Sequence, residues 1–151
     1  MRPLPVRRGP PGPWSFLIVA AILGLPASTR AGEPPVAVGE VRARTAEGEF
    51  SAPLRSALHA AIARAELGRP REPFVLSANL VRLDAERVGN GARATAAVSL
   101  LLRRARGQAL HAVLSGHATA EETDASVSEA REDALRAAVN SALRRLPEAV
   151  R

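Results

Sequence analysis

Cysteine, lysine and tyrosine are all missing from this 151-residue chain, and 3 phenylalanines with 1 tryptophan make up its aromatics. Without cysteine there is no disulfide, no thiolate metal ligand and no thiol nucleophile. Without lysine, all 21 basic residues are arginine, so amine and Schiff-base chemistry are closed to the chain. Beyond residue 31 the only aromatics are Phe50 and Phe74, which removes the stacking platforms that hold single-stranded nucleic acid. Long hydrophobic runs are also scarce. The apolar stretch 14–25 would rise only about 18 Å as a helix, against about 30 Å of hydrocarbon in a bilayer.

That stretch is better suited to an export leader. Arg2, Arg7 and Arg8 precede it, Pro26 breaks it, and Thr29-Arg30-Ala31 places small residues where a signal peptidase looks. The reading is a secretory signal peptide over 1–31, cleaved before Gly32, with an uncleaved membrane anchor as the alternative. Arg7-Arg8 hints at twin-arginine export, but Gly9-Pro10-Pro11 continues it poorly. With no cysteine at the cleavage region, a lipid-modified N-terminus is not available.

Removing the leader changes the charge. The whole chain carries a formal +6, but four arginines precede the cut and all 15 acids follow it. The remainder has 17 Arg against 15 Asp and Glu, a formal +2. This near balance is an ordinary soluble surface and argues against nucleic acid as a partner.

What is present points to a two-layer α+β domain over 36–147, after a lead-in at 32–35 and before a free tail at 148–151. Val36-Ala37-Val38 opens a first strand over 36–44, weakened by Gly39. Ser51 is the expected cap of a helix over 53–67, because Leu54, Leu58, Ile62 and Ala65 recur on one stripe. Gly68 suits its C-cap.

Three strands follow, each alternating apolar and polar residues with a period of two. In the first, Leu80-Val81 has the spelling of a bulge. Asn90-Gly91 predicts a tight hairpin, and the arginine-rich stretch 103–108 the next turn. Ser126-Val127-Ser128-Glu129 is a capping box, opening a helix whose stripe runs through Val127, Ala130, Ala134, Ala138, Ala142 and Leu146 until Pro147. The order is strand, helix, three strands, helix, with a mainly antiparallel sheet.

From the Val36-Ala37-Val38 strand through the long final helix, this order resembles small secreted or envelope domains of the CsgG/LpoB/TolB-N-like kind. The resemblance rests on element order alone. No motif of that family aligns onto a catalytic or binding residue, and the lipid-attachment cysteine is absent. It implies a protein-interaction role in the cell envelope.

Candidates for chemistry are few. His111 and His117 fall on one face of a regular strand but about 20 Å apart, and His59 lies on the first helix. A histidine set this dispersed reads as structural. Ser115-Gly116-His117 is not a nucleophile elbow, and no HExxH, Walker, dinucleotide or EF-hand pattern occurs. No cofactor and no metal is implied. The best surface candidate is the turn bearing Arg103, Arg104 and Arg106, whose guanidiniums suit phosphate or carboxylate.

The expectation is a non-enzymatic exported accessory domain that binds another envelope protein through a sheet face or hairpin rim. A module for an acidic envelope ligand at Arg103, Arg104 and Arg106 is the alternative, and a small hydrolase a further one.

Overall fold

The computed structural model describes residues 34–46, 48–68 and 70–151. The leader over 1–31 lies outside the described residues, as does the start of the lead-in. Among the described residues nine elements follow one another: β1 (Val36–Arg42), β2 (Arg44–Thr45), β3 (Gly48–Glu49), α1 (Ser51–Arg64), β4 (Phe74–Val88), β5 (Gly91–Arg104), β6 (Leu110–Glu122), α2 (Val127–Leu143) and α3 (Leu146–Ala149). The main sheet has the order β1-β4-β5-β6, and β2 and β3 make a minute hairpin of their own. The α+β architecture and the order of its major elements are those the sequence pattern predicts.

Strands β4, β5 and β6 form the antiparallel meander. Strand β1 instead lies parallel to β4. The reason is α1: a chain that leaves β1, crosses the sheet as a helix and returns beside it runs in the same direction. The first strand is shorter than the sequence suggests, because the backbone of the buried Ala43 leaves the ladder, its N–H donating to the Ser51 Oγ and its carbonyl accepting from the Phe50 N–H.

Helix α1 begins by a different device from the one expected. Its N-cap is Phe50, with no side-chain cap bond. Glu49 takes over that work, its carboxylate accepting from the Ser51 N–H at 3.1 Å and from the Ser51 hydroxyl. These bonds, with Arg44 nearby, hold the Glu49 carboxyl below its ordinary range. The Ser51 Oγ in turn accepts from the Ala43 N–H at 3.2 Å, tying helix to strand. The helix closes at Arg64 with Ala65 as C-cap. Gly68 does adopt a left-handed φ of 64°, but in the loop beyond the cap.

Helix α2 starts as its spelling dictates. The Ser126 Oγ accepts from the Glu129 N–H at 3.2 Å, and the Glu129 carboxylate accepts from the Ser126 N–H at 2.7 Å. Two amides that a helix terminus leaves without intrahelical acceptors are thus satisfied. Pro147 does not end the structure. It stands in the first turn of α3, where a missing N–H costs nothing. Val150 beyond it is 3% exposed, so the stretch expected as a free tail docks onto the core.

Both helical layers cover one face of the sheet. Helix α2 packs over β4, β5 and β6, while α1 packs on β1 and against α2. Leu76, Leu100, Leu102, Leu54, Leu58, Leu135 and Leu146 are completely buried between them. The alanine stripe Ala130, Ala134, Ala138 and Ala142 is buried as well, letting α2 approach β6 closely. Gly116 is the place of nearest approach: a Cβ there would fall 2.6 Å from the Ala142 nitrogen and would collide with the Ala138 carbonyl oxygen.

Candidate functional site

The uncovered face of the sheet is the surface that the fold leaves for function. Cross-strand register builds it in rows. Near the β4–β5 turn stands Glu86–Arg93–Glu121, in which Arg93 donates from Nε and Nη2 to Glu121 at 3.0 and 2.9 Å and lies 3.8 Å from Glu86. The next row is Asp84–Thr95–Thr119, with the two threonine hydroxyls 3.1 Å apart. Then come Arg82–Ala97–His117, Asn79–Ser99–Ser115 and Ser77–Leu101–Val113.

A bulge makes this regular. The β4–β5 register shifts between Leu80 and Arg82, the place its spelling indicated. Val81 is therefore left 63% exposed, while Leu83 returns to the core. After the bulge, Arg82, Asp84 and Glu86 join the open face. Arg82 pairs with Asp84, and at the β1 side Arg42 Nε donates to Glu40 at 2.7 Å. The middle of the face thus carries small, uncharged or apolar side chains, and ion pairs stand around it. Two shallow hollows dimple it. One of about 290 Å³ is bounded by Arg82, Asp84, Glu86, Arg93 and Thr95. The other, of about 330 Å³, lies among Glu40, Arg42, Ser77, Asn79, Leu101 and Arg103.

The arginine turn does not act as one cluster. Arg103 is paired with Val75, and Arg104 with Phe74, so the pleat sends them to opposite faces. Arg103 reaches the Gln108 carbonyl at 3.3 Å from the open side. Arg104 lies 3.6 Å from Glu72 on the helix side, beside a cleft of about 230 Å³ that Arg71, His111 and Arg151 also line. Arg106 is exposed in the turn itself.

The histidines are parted in the same way. The β5–β6 register shifts between Leu102 and Arg103, inserting one residue at Leu110-His111. His111 consequently turns to the helix side. Its ring centroid lies 5.0 Å from that of Phe74, and its Nε2–H donates to the Ala149 carbonyl at 2.8 Å. His117 stays on the open face opposite Ala97. The expectation that the two share a face fails because an unforeseen bulge separates them. His59 is exposed on α1, between the buried Leu58 and Ala61. Among the described residues, no group of three or more His, Asp or Glu side chains is placed to hold a metal ion.

One end of β6 is crowded with acid. Glu122 bonds to the Asp133 carboxyl, and with Glu129 also near, its own carboxyl is pushed above the ordinary range. Asp124 accepts from the Asn90 side-chain amide at 2.7 Å, which ties the α2 lead-in to the hairpin. That hairpin turns at Gly89-Asn90 instead of Asn90-Gly91. Gly91 is already in β5, where it lies so close to Glu122 that no side chain fits.

The residues that sequence motifs missed are those of the central rows: Asn79, Ser99, Leu101, Val113 and Ser115. They form no motif, and only the parity of alternating strands marks them.

No family model and no curated protein matches the chain at a significant level. Solved structures are weakly similar to it at low identity. A candidate lipoprotein from Caulobacter crescentus is 18% identical, with a TM-score of 0.48 over 76% of this chain and 86% of that one. A PelC dodecamer from Paraburkholderia phytofirmans is 18% identical, with a TM-score of 0.44 over 77% and 86%. A minor lipoprotein from Acinetobacter baumannii is 11% identical, with a TM-score of 0.42 over 78% and 91%. Among the described residues, no helix is long and apolar enough to cross a membrane.

Proposed function

We propose that this chain is an exported, non-catalytic accessory domain that binds a protein of the cell envelope through the open face of its sheet. The observation that carries the reading is the arrangement of that face: an uncharged centre of Ser77, Asn79, Ala97, Ser99, Leu101 and Val113, with ion pairs around it. Protein interfaces have this anatomy, a core depleted of charge inside a polar rim. The helices behind the sheet hold the face in one shape, so little ordering entropy is lost on binding.

Cross-linking in the native envelope, with the full exported chain, tests this. A reproducible protein partner is expected for the wild type and its loss for Ser99→Arg and Leu101→Arg, whose circular dichroism stays that of the parent. Capture that survives high salt is also expected, since contacts at the uncharged centre are screened little. Equal capture by wild type and both variants would overturn the reading.

A second reading has its own observation. Arg71, Arg104 and Arg151 border the cleft beside Phe74 together with His111 and Glu72, and their three guanidiniums outnumber the one glutamate, which suits a carboxylate or phosphate. Arg71→Ala with Arg104→Ala would abolish binding of such an acidic ligand and leave partner capture at the open face unchanged.

A further inference from the structure

The two edges of the main sheet are built differently. Strand β1 is 7 residues long, its register breaks between Val38 and Val41, and it carries Glu40 and Arg42. Short length, a bulge and charge are the usual means of keeping an edge from pairing with another chain. Strand β6 has 13 residues and nothing of the kind over most of them: Leu110 to Ala120 contains no Arg, Asp, Glu or Pro. Its irregularity is confined to the Leu110-His111 end. Val113 is 53% exposed and Leu110 55%, and among the described residues no strand pairs with its outer side. A long, uncharged edge of this kind is a template for a further strand.

Charge selects which strand. At the Leu110 end of β6 stand Arg103 on the open face and Arg106 in the turn, with Arg104 on the helix side beside Glu72. At the other end stand Glu121, Glu122 and Asp124. The ends are about 40 Å apart at strand rise, several screening lengths at physiological salt, so each acts as its own patch. An antiparallel pairing of β6 with itself about a twofold axis sets the basic end of each copy against the acidic end of the other, twice over. We infer that β6 is a self-pairing edge through which two copies of this chain join into one continuous eight-stranded sheet.

The crowding at Glu122 supports the polarity. Asp133 and Glu129 crowd the Glu122 carboxyl. Although Arg136 bonds Asp133 and Arg93 bonds Glu121, Glu122 itself faces the edge with acids as its nearest neighbours, a place that suits an arginine of the facing copy. Registers that keep the two helical layers on one side set a residue opposite its own copy. The one that pairs all of the regular stretch, Ala112 to Glu122, places His117 there. Both open faces then lie on the same side of the joined sheet, and the dimer offers a partner two sites.

Light scattering on the full exported chain tests the inference, with twice the monomer mass expected. Glu122→Arg and Arg106→Glu are each expected to weaken the dimer about tenfold, because each brings an end of β6 to the same sign as the end of the facing copy that it meets. The chain has no cysteine of its own, so Ser115→Cys, His117→Cys and Thr119→Cys report directly. At least one is expected to form an intermolecular disulfide on oxidation. A monomeric wild type with no disulfide from any of the three overturns the proposal, even if either charge variant fails to fold. A monomer whose β6 amides become protected only when an envelope extract is added also overturns it, and assigns the edge to a strand of another protein.

Discussion

The two faces of one sheet are made from the same four strands, yet they obey different rules. On the helix side Leu76, Leu100, Leu102, Ala96 and Val98 are sealed by α1 and α2. On the open side their immediate neighbours Ser77, Leu101, Ala97 and Ser99 lie half-buried and, among the described residues, meet no second layer. Adjacent residues thus differ more than residues ten positions apart. Burial here is a property of parity, and chemistry that depends on exposure is confined to every second residue.

Substitutions at neighbouring positions sharpen that contrast. The largest effect is expected at Gly116, where α2's backbone leaves no room: Gly116→Val is expected to lose about 4 kcal/mol or more in thermal or urea unfolding. Ser115→Val beside it is expected to stay within about 0.5 kcal/mol. Next, Leu100→Ala opens a cavity in a fully buried site and is expected to cost about 3 kcal/mol, whereas Leu101→Ala is expected to cost under about 1 kcal/mol. Equal losses at 100 and 101 would break the two-face picture. Ser126→Ala removes one half of the α2 capping box, with a loss of about 1 kcal/mol expected from denaturant melts.

The smallest effects lie in pH dependence, because the groups concerned are exposed, and they have opposite signs. The Glu122 carboxyl is raised in the folded state by Asp133. Its contribution to stability is present below the unfolded value and is lost as pH rises through the folded one. Glu49 and Glu129 are lowered, by bonds from Ser51 and Ser126 respectively. Their contributions are present above the unfolded value and are lost as pH falls through the folded ones. Melts across the carboxylate range are therefore expected to flatten on the rising side for Glu122→Gln and on the acid side for Glu129→Gln. The same slope in both variants would show that the β6 end and the first turn of α2 are not electrostatically distinct.

Much of this architecture is legible in the chain. The Ser126–Glu129 pair announces α2 because a cap is a local interaction within four residues. Alternation in β4, β5 and β6 reveals the meander and the bulge at Val81 because the pleat has a period of two. The partner of β1 is not legible, since pairing with β4 depends on a crossover and not on any residue in β1. The α1 cap escaped as well: Glu49 reaches the first turn from a two-residue strand too short to leave a pattern. At the candidate site, the arginines and histidines could be found by residue type but not sorted by face. One inserted residue at Leu110-His111 and the pleat at Arg103-Arg104 decide where each of them goes.

Composition and period by themselves determined that this chain cannot use thiol or lysine chemistry, that it alternates through three long strands, and that two amphipathic helices must cover one side of them. Those properties reside in each residue or in its nearest neighbours along the backbone. The tertiary structure alone decided that β1 runs parallel to β4, that His111 and His117 part company, and that β6 is left as an open edge. Each of these outcomes depends on which strands meet and in what register, and register is set by the packing of α1 and α2 onto the whole sheet.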